Sequence, residues 1–347
     1  MPECGSQIIL CDLPIRFDTY EGCSHGCTYC FARKKADISN IKPHEGAVAL
    51  QNFINGKRTT KTNWCDWDIP LHWGGMSDPF QPAEKHYKRS YDCLKIFAET
   101  GYPFAFSTKG YISVDSEYLN MFSKCNAVAQ VSMVTPKYDK LEPGAPTFKE
   151  RIVMLEKLAK VSKRLIVRIS PYSVGLAVET ASYMSTYKDA GVFGVEIEGM
   201  KRRKKTKGWV KVGGDICYPV DSLRRDFEII RESARGNGLA FYVGENRLRN
   251  MGDSTCCCGV DGVSGFYTNK SNINAFLKSG RIEYRSHMES SDTAMVFLDA
   301  ALQDTKSYRN LKGRSYKDVM EVARNTKCFL EAMGADITSD KPELLTD

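Results

Sequence analysis

The chain has 347 residues, 42% hydrophobic and 26% charged, the balance of a folded globular protein rather than a disordered or fibrous one. It contains no apolar run of roughly 18 residues, the length that a membrane-spanning helix needs, and residues 1–13 lack the basic start of a secretory signal. Thirteen cysteines, an odd number, therefore fit a reducing cytoplasm and metal ligation better than a disulfide framework. The net charge of +7 is local: seven basic residues and no acid fall between Lys201 and Lys211.

In chain order, residues 15–20 alternate apolar and polar and read as a first strand ending at a cysteine-rich loop. Residues 31–66 are polar and mixed, with room for several short helices. Residues 69–75 read as a second strand closed by Gly74-Gly75. A long helix is predicted over 82–100, with Pro82 near its first turn and Gly101 just past its end. Strand 104–107, helix 116–125 and strand 127–134 follow. A Thr147-to-Glu150 capping box opens a helix over 147–161. Strand 165–170, helix 177–190, strand 192–197, helix 220–235 and a seventh strand, 240–243, complete the series. Strands alternating with helices make parallel βα units and an α/β fold. Residues 246–347 break the alternation, with helices expected near 271–279 and 316–333. The chain thus divides into residues 1–245 and a C-terminal elaboration, 246–347.

The loop after the first strand reads Cys23-Ser24-His25-Gly26-Cys27-Thr28-Tyr29-Cys30. Thiolates are soft ligands for zinc or for iron–sulfur iron. A closed structural site of either kind takes four protein ligands, and this group supplies three. Three thiolates on a four-iron cluster leave one iron open to another molecule. Gly22 and Gly26 let the backbone wrap a bulky inorganic core. His25 is the rival fourth ligand of a zinc site, but a loop wrapped round a cluster is expected to point it outward.

The C-x3-C-x2-C spacing followed by an aromatic, Phe31, resembles the signature of radical S-adenosylmethionine (SAM) enzymes. The resemblance implies a [4Fe–4S] cluster on Cys23, Cys27 and Cys30 whose open iron is chelated by SAM. It implies reductive cleavage of SAM to a 5′-deoxyadenosyl radical that abstracts hydrogen from a substrate. It also implies a partial (β/α)6 TIM-type barrel, with the C-terminal elaboration closing its open side. Reactive residues of such barrels stand at the C-terminal ends of strands. In this family a Gly-rich segment after the second strand contacts the SAM amino group through its backbone, a role that falls to Gly74 and Gly75; an ordinary turn into a helix is the plainer alternative.

The run from Ser77 to Lys85, then Phe106-Ser107-Thr108-Lys109, then Gln130 to Thr135, with Tyr20-Glu21-Gly22 before the cysteines, is similar to the spore photoproduct lyase-like branch over about residues 15–200. By that resemblance Ser77, Lys109 and Ser132 contact SAM. Lys109 at a strand end meets the carboxylate or ribose as a compact charge, or is a solvated lysine. Arg168 either clamps a carboxylate or pairs with Glu196 or Glu198. One departure is clear. Where the branch carries a hydrogen-donor cysteine this chain has Met76, whose thioether has no hydrogen on sulfur, and Cys65 is a distant substitute.

Three readings stand for Cys256-Cys257-Cys258: a redox or hydrogen-donor thiol, which places them among the catalytic candidates; ligands of a second metal or cluster, with Cys217; or packing. Cys4, Cys11, Cys93, Cys125 and Cys328 read as structural. The basic segment and its Trp209 suit phosphate contact and base stacking; a solvated loop or a docking face for an acidic electron donor are the alternatives. Glu245-Asn246-Arg247 faces substrate or serves a helix-capping or ion-pair role. The expected protein is a cytoplasmic radical SAM enzyme acting on nucleic acid or nucleotide, reduced by a small protein such as flavodoxin or ferredoxin, and not membrane-bound. A peptide or protein substrate is the rival, and a zinc-stabilised, non-catalytic nucleic-acid-binding module is the rival from another class.

Overall fold

Seven short segments of this chain become neighbouring parallel strands. In the computed structural model they are β2 (Ile15–Phe17), β5 (Leu71–Trp73), β6 (Phe104–Thr108), β7 (Ala127–Ser132), β8 (Arg164–Tyr172), β9 (Gly194–Gly199) and β13 (Ala240–Val243), side by side in that order. A short β1 (Glu3–Cys4) adds antiparallel to the outer edge of β2. The structure describes residues 2–4, 11–34, 37–57, 69–202, 204–212 and 215–267, with isolated positions 281, 283, 317, 335–336 and 343–344. The helices expected near 271–279 and 316–333, and Cys65 and Cys328, lie outside the described residues. Among the described residues no helix is long and apolar enough to cross a membrane.

The helices are α1 (Gly46–Ile54), α2 (Glu84–Tyr87), α3 (Arg89–Thr100), α4 (Ser116–Phe122), α5 (Phe148–Leu158), α6 (Ala177–Ala181), α7 (Met184–Asp189) and α8 (Val220–Gly236). They pack on the outer face of the sheet through an apolar core. Trp73, at 0% exposure, touches Phe17, Phe80, Phe97 and Phe104 with ring centroids 5.4–5.8 Å apart. Each such buried aromatic contributes on the order of 2–3 kcal/mol by area removed from water. Thr147 caps α5 with the expected box: its side chain accepts from the Glu150 N–H, and Glu150 reaches back to the Thr147 N–H.

Three expectations change. The helix predicted over 82–100 is two helices, because Lys88 adopts a left-handed conformation at φ 55° and breaks it. Helix 177–190 is likewise split into α6 and α7. The first strand stops at Phe17; Tyr20–Glu21 (β3) turns away to pair antiparallel with Lys42–Pro43 (β4). The Lys201–Lys211 segment is built into an antiparallel sheet of β10 (Lys201–Arg202), β12 (Asp215–Cys217) and β11 (Val210–Val212).

The inner face of the barrel has two characters. Near the N-terminal ends of the strands it is apolar: Ala105, Val128, Ile166 and Tyr242 pack with Leu13, Cys256, Cys258, Val260 and Phe266. Residues 246–267 therefore close the barrel from its N-terminal side, not over its mouth. Gln130 Nε2 donates to the Cys258 carbonyl at 2.7 Å, and Arg164 Nη1 donates to the Gly259 and Asp261 carbonyls. Higher up, the inner face is polar.

Candidate functional site

The cysteine loop leaves the C-terminal end of β2 through β3. Gly22 turns it at φ +80°, and a Cβ there would stand 2.6 Å from the Asn40 carbonyl oxygen, so only glycine fits. Cys27 is buried; Cys23 and Cys30 are half-buried, and none is in a disulfide. Burial, with the Asp78 charge adding, pushes the Cys23 thiol up to about 12. Burial also raises Cys27, against the opposing charge of Lys109. Such thiols ionise when a metal replaces their protons. Among the described residues no three His, Cys, Asp or Glu side chains close on a single ion. A cubane instead takes each thiolate on a different iron, and the three thiols of this loop match three of its four irons.

His25 does not point outward. It is 2% exposed, its Nδ1 donates to the Gly144 carbonyl at 2.9 Å, and its Nε2 meets Asp78 Oδ2 at 3.0 Å. With both nitrogens engaged, His25 braces the loop and is not a fourth metal ligand. Asp78 also accepts from the Thr108 hydroxyl at 2.7 Å and from the backbone N–H groups of Phe80 and Lys109 at 2.8 and 2.6 Å. Burial alone would raise its carboxyl, but His25 and these donors bring it down to about 2. Three residues on, the fully buried Gln81 accepts from Ser24 N at 2.7 Å and donates to the Gly22 carbonyl at 3.2 Å. The turn after β5 thus fastens the cysteine loop at both Gly22–Ser24 and His25.

The same turn begins with Gly74-Gly75. Gly74 sits at φ +88°, and a Cβ would lie 2.5 Å from the Ser107 carbonyl oxygen. The Met76 and Ser77 N–H groups both donate to Asp18 Oδ1 at 3.0 Å, and the Ser77 hydroxyl does so at 3.3 Å. Asp18, at the end of β2, therefore sets the shape of this segment. Burial pushes its carboxyl up to about 6, against the pull of those donors.

Lys109 follows β6 directly. Its Nζ lies 4.0 Å from Glu142 Oε1 and 5.9 Å from the Tyr29 ring centroid, and its side chain is 17% exposed, so it is not a solvated lysine. Tyr29 donates to Glu142, which also pairs with the buried Arg151. Arg151 Nη1 in turn donates to the Ser132 carbonyl at 2.9 Å, at the end of β7. Thr28 N donates to the Leu141 carbonyl, adding a second strap to the cysteine loop. Phe31, at 48% exposure, stands open beside it.

Gly74, Gly75, Ser77, Lys109 and Ser132 all lie at the C-terminal ends of adjacent strands, the side of the sheet from which the cysteine loop leaves β2, and the Lys109 charge reaches Cys27. Arg168 stands opposite Ser132 in register on β8. Its Nε donates to Glu196 Oε2 at 3.1 Å and its Nη1 to Ser107 Oγ at 3.0 Å. The ion-pair alternative for Arg168 is the one observed. Ser107 continues the network to Gln130 and His72 at 2.7 and 3.1 Å. Burial raises Glu196 to about 7 in spite of Arg168. Lys201 is drawn into the same interior, 2.7 Å from Glu198. Cys257 neighbours Arg168 and Glu196, whereas Cys217 neighbours Glu245 and Arg247.

On the outer sheet, Arg202, Lys204, Lys205, Lys207 and Lys211 are exposed. Trp209 is already occupied: its ring lies 3.8 Å from that of Tyr218 and 4.7 Å from the Arg202 guanidinium carbon. Arg203 lies outside the described residues. Glu245 accepts from Arg247 Nε at 2.8 Å, and Arg247 also donates to the Tyr218 carbonyl. Sequence reading passed over Asp18, Glu142, Arg151 and Arg249; Asp78 and Gln81 were visible only as part of the Ser77–Lys85 run.

No family model matches the chain. It is similar to uncharacterized proteins of Mycobacterium tuberculosis and Mycobacterium bovis, at 24% identity over 213 residues. The match covers 57% of this chain and 62% of the length of those relatives. Among solved structures it resembles a spore photoproduct lyase mutant with bound AdoMet and dinucleoside spore photoproduct, with TM-score 0.54 and 16% identity. That alignment covers 67% of this chain and 76% of the other. Spore photoproduct lyase complexed with dinucleoside spore photoproduct aligns with TM-score 0.51, 16% identity and the same coverage. At this identity the likeness is one of fold. The chain has the α/β partial-barrel fold of those two structures.

Proposed function

We propose that this chain is a radical SAM enzyme. The observation that carries the reading is the position of Cys23, Cys27 and Cys30: a three-thiol loop at the mouth of a partial barrel, braced by the turn after the second parallel strand. Cys23, Cys27 and Cys30 would hold a [4Fe–4S] cluster, and SAM would lie along Gly74, Gly75, Ser77, Lys109 and Ser132. When bound, the cluster and SAM together supply a 5′-deoxyadenosyl radical for hydrogen abstraction. The chain's own part is positional. Asp78 and Gln81 fix the cysteine loop, Asp18 fixes the glycine turn, and the Arg168–Glu196 network lines the polar interior below.

The substrate reading is a nucleic acid or nucleotide, supported by the exposed lysines next to the end of β9. A peptide substrate is the rival. The hydrogen-donor role expected of Cys256, Cys257 or Cys258 is not part of this proposal, because residues 246–267 close the barrel from its N-terminal side, away from the cysteine loop at its mouth. A cytoplasmic setting and a small flavodoxin- or ferredoxin-type reductant complete the proposal. The test is anaerobic reconstitution with iron and sulfide, followed by reduction with SAM present. 5′-Deoxyadenosine forms in the parent and is lost in Cys27→Ala. Tight zinc binding with no iron uptake would sink the reading in favour of the zinc-stabilised module.

A further inference from the structure

Sulfur gathers at a second place, on the inner face of the barrel. Cys256 and Cys258 are 1% and 3% exposed and pack into the apolar layer, while Cys257 is half-buried. In an extended chain, neighbouring side chains diverge. Residues 256–259 turn instead, and the Cys257 and Cys258 sulfurs come to 3.9 Å. A third sulfur arrives from the N-terminal side of β2: Cys11 lies within hydrogen-bonding reach of Cys258. Beside Cys257 stands Arg249, 2% exposed. Its Nη2 donates to Asn246 Oδ1 at 2.6 Å, but Nε and Nη1 have no hydrogen-bond partner. The Cys257 sulfur lies within hydrogen-bonding reach of this buried guanidinium, with Asp12 the neighbouring carboxylate.

We propose that Cys257, Cys258 and Cys11 form a redox-active thiol centre, with Cys257 the attacking thiolate, Cys258 the resolving thiol and Cys11 the final partner. The Cys258 hydrogen bond holds Cys257 well below the usual thiol range, aided by Arg249 and Arg168 against burial. Hydrogen bonding with Cys11 and with Cys257 holds Cys258 well above that range.

The oxidant class is a hydroperoxide. The Cys257 thiolate attacks a peroxide oxygen of hydrogen peroxide; an S–O bond forms, the O–O bond breaks, and hydroxide leaves. The Cys258 sulfur then displaces the new hydroxyl, which departs as water with the Cys258 proton. The sulfurs lose two electrons and the peroxide gains them. Adjacent Cα atoms are about 3.8 Å apart, below the roughly 4.4–6.8 Å of relaxed disulfides. The Cys257–Cys258 bond is therefore strained; the Cys11 sulfur, giving up its proton to solvent, attacks Cys258, so that the Cys11–Cys258 bond forms, the Cys257–Cys258 bond breaks and Cys257 leaves as thiolate. A dithiol reductant restores the thiols. This chemistry is independent of the radical reading and needs neither cluster nor SAM.

The test is differential alkylation of the full chain with peptide mass spectrometry. Before oxidation, iodoacetamide labels Cys257 at least about tenfold faster than Cys256. One equivalent of hydrogen peroxide links the Cys258 peptide to the Cys11 peptide, or leaves the residue 256–258 peptide short of two hydrogens, and dithiothreitol reverses both. In Cys258→Ser, a near-isosteric change, Cys257 accumulates as a sulfenic acid that dimedone traps, and no link to Cys11 forms. Arg249→Met slows Cys257 labelling about tenfold, and Arg249→Lys restores most of the rate. Equal labelling of Cys256 and Cys257, or peroxide oxidation confined to Cys23, Cys27 and Cys30, overturns the proposal.

Discussion

His25 Nε2 lies 3.0 Å from Asp78 Oδ2, and this contact ties the cysteine loop to the turn after β5 across 53 residues of chain. Both groups are buried, and leaving a buried hydrogen-bonding group without its partner costs on the order of 1–3 kcal/mol. Asp78→Ala and Gln81→Ala are expected to keep their far-ultraviolet circular dichroism while losing iron after reconstitution and gel filtration. Parental iron content in both variants would show that the loop holds itself.

The Asp18 carboxyl has a folded value of about 6, above the ordinary value of about 3.9. The folded state therefore binds this proton more tightly than the unfolded chain does. Its stabilising contribution is full below about pH 4 and declines as pH rises to 6, by on the order of 2–3 kcal/mol. The stability of the parent relative to Asp18→Asn should fall by that amount between pH 4 and pH 7 in urea titrations. A difference independent of pH would refute the assignment.

Arg168 and Glu196 meet on the inner face, with Glu196 only 2% exposed. Arg168→Met leaves a buried carboxylate without its cation and is expected to cost about 3–5 kcal/mol. Adding Glu196→Gln removes the stranded charge and should recover a large part of the loss. Thermal unfolding of the two single variants and the double gives the coupling; simple additivity would mean that the pair does not act as one.

Lys201 belongs with Glu198 and the barrel interior, so the nucleic-acid test leaves it in place. Replacing Lys204, Lys205, Lys207 and Lys211 by Ala should weaken binding to single-stranded nucleic acid and make the salt slope shallower by about 3, at roughly 0.7 per phosphate contact. Cleavage of SAM without substrate should be unchanged. No binding by the parent, or an unaltered slope, would favour the peptide reading.

The sequence by itself determined the order of parallel strands and helices, because period and capping signals are local: the Thr147–Glu150 box and the turn at Gly101 both stand where they were expected. It also determined the three-thiol loop, since those cysteines lie within eight residues of one another. Only the tertiary structure decided what His25 does, because its partners Asp78 and Gly144 are 53 and 119 residues away. The same holds for Arg168, whose two alternatives differ only in whether Glu196 is close enough to pair. The basic segment was legible as charge but not as a sheet, since its strands are two or three residues long and are made by pairing with residues 215–217. Cys11 and Arg249 carry no pattern at all. They meet Cys258 and Cys257 only because residues 246–267 fold back under the barrel, a contact of packing that no local spacing encodes.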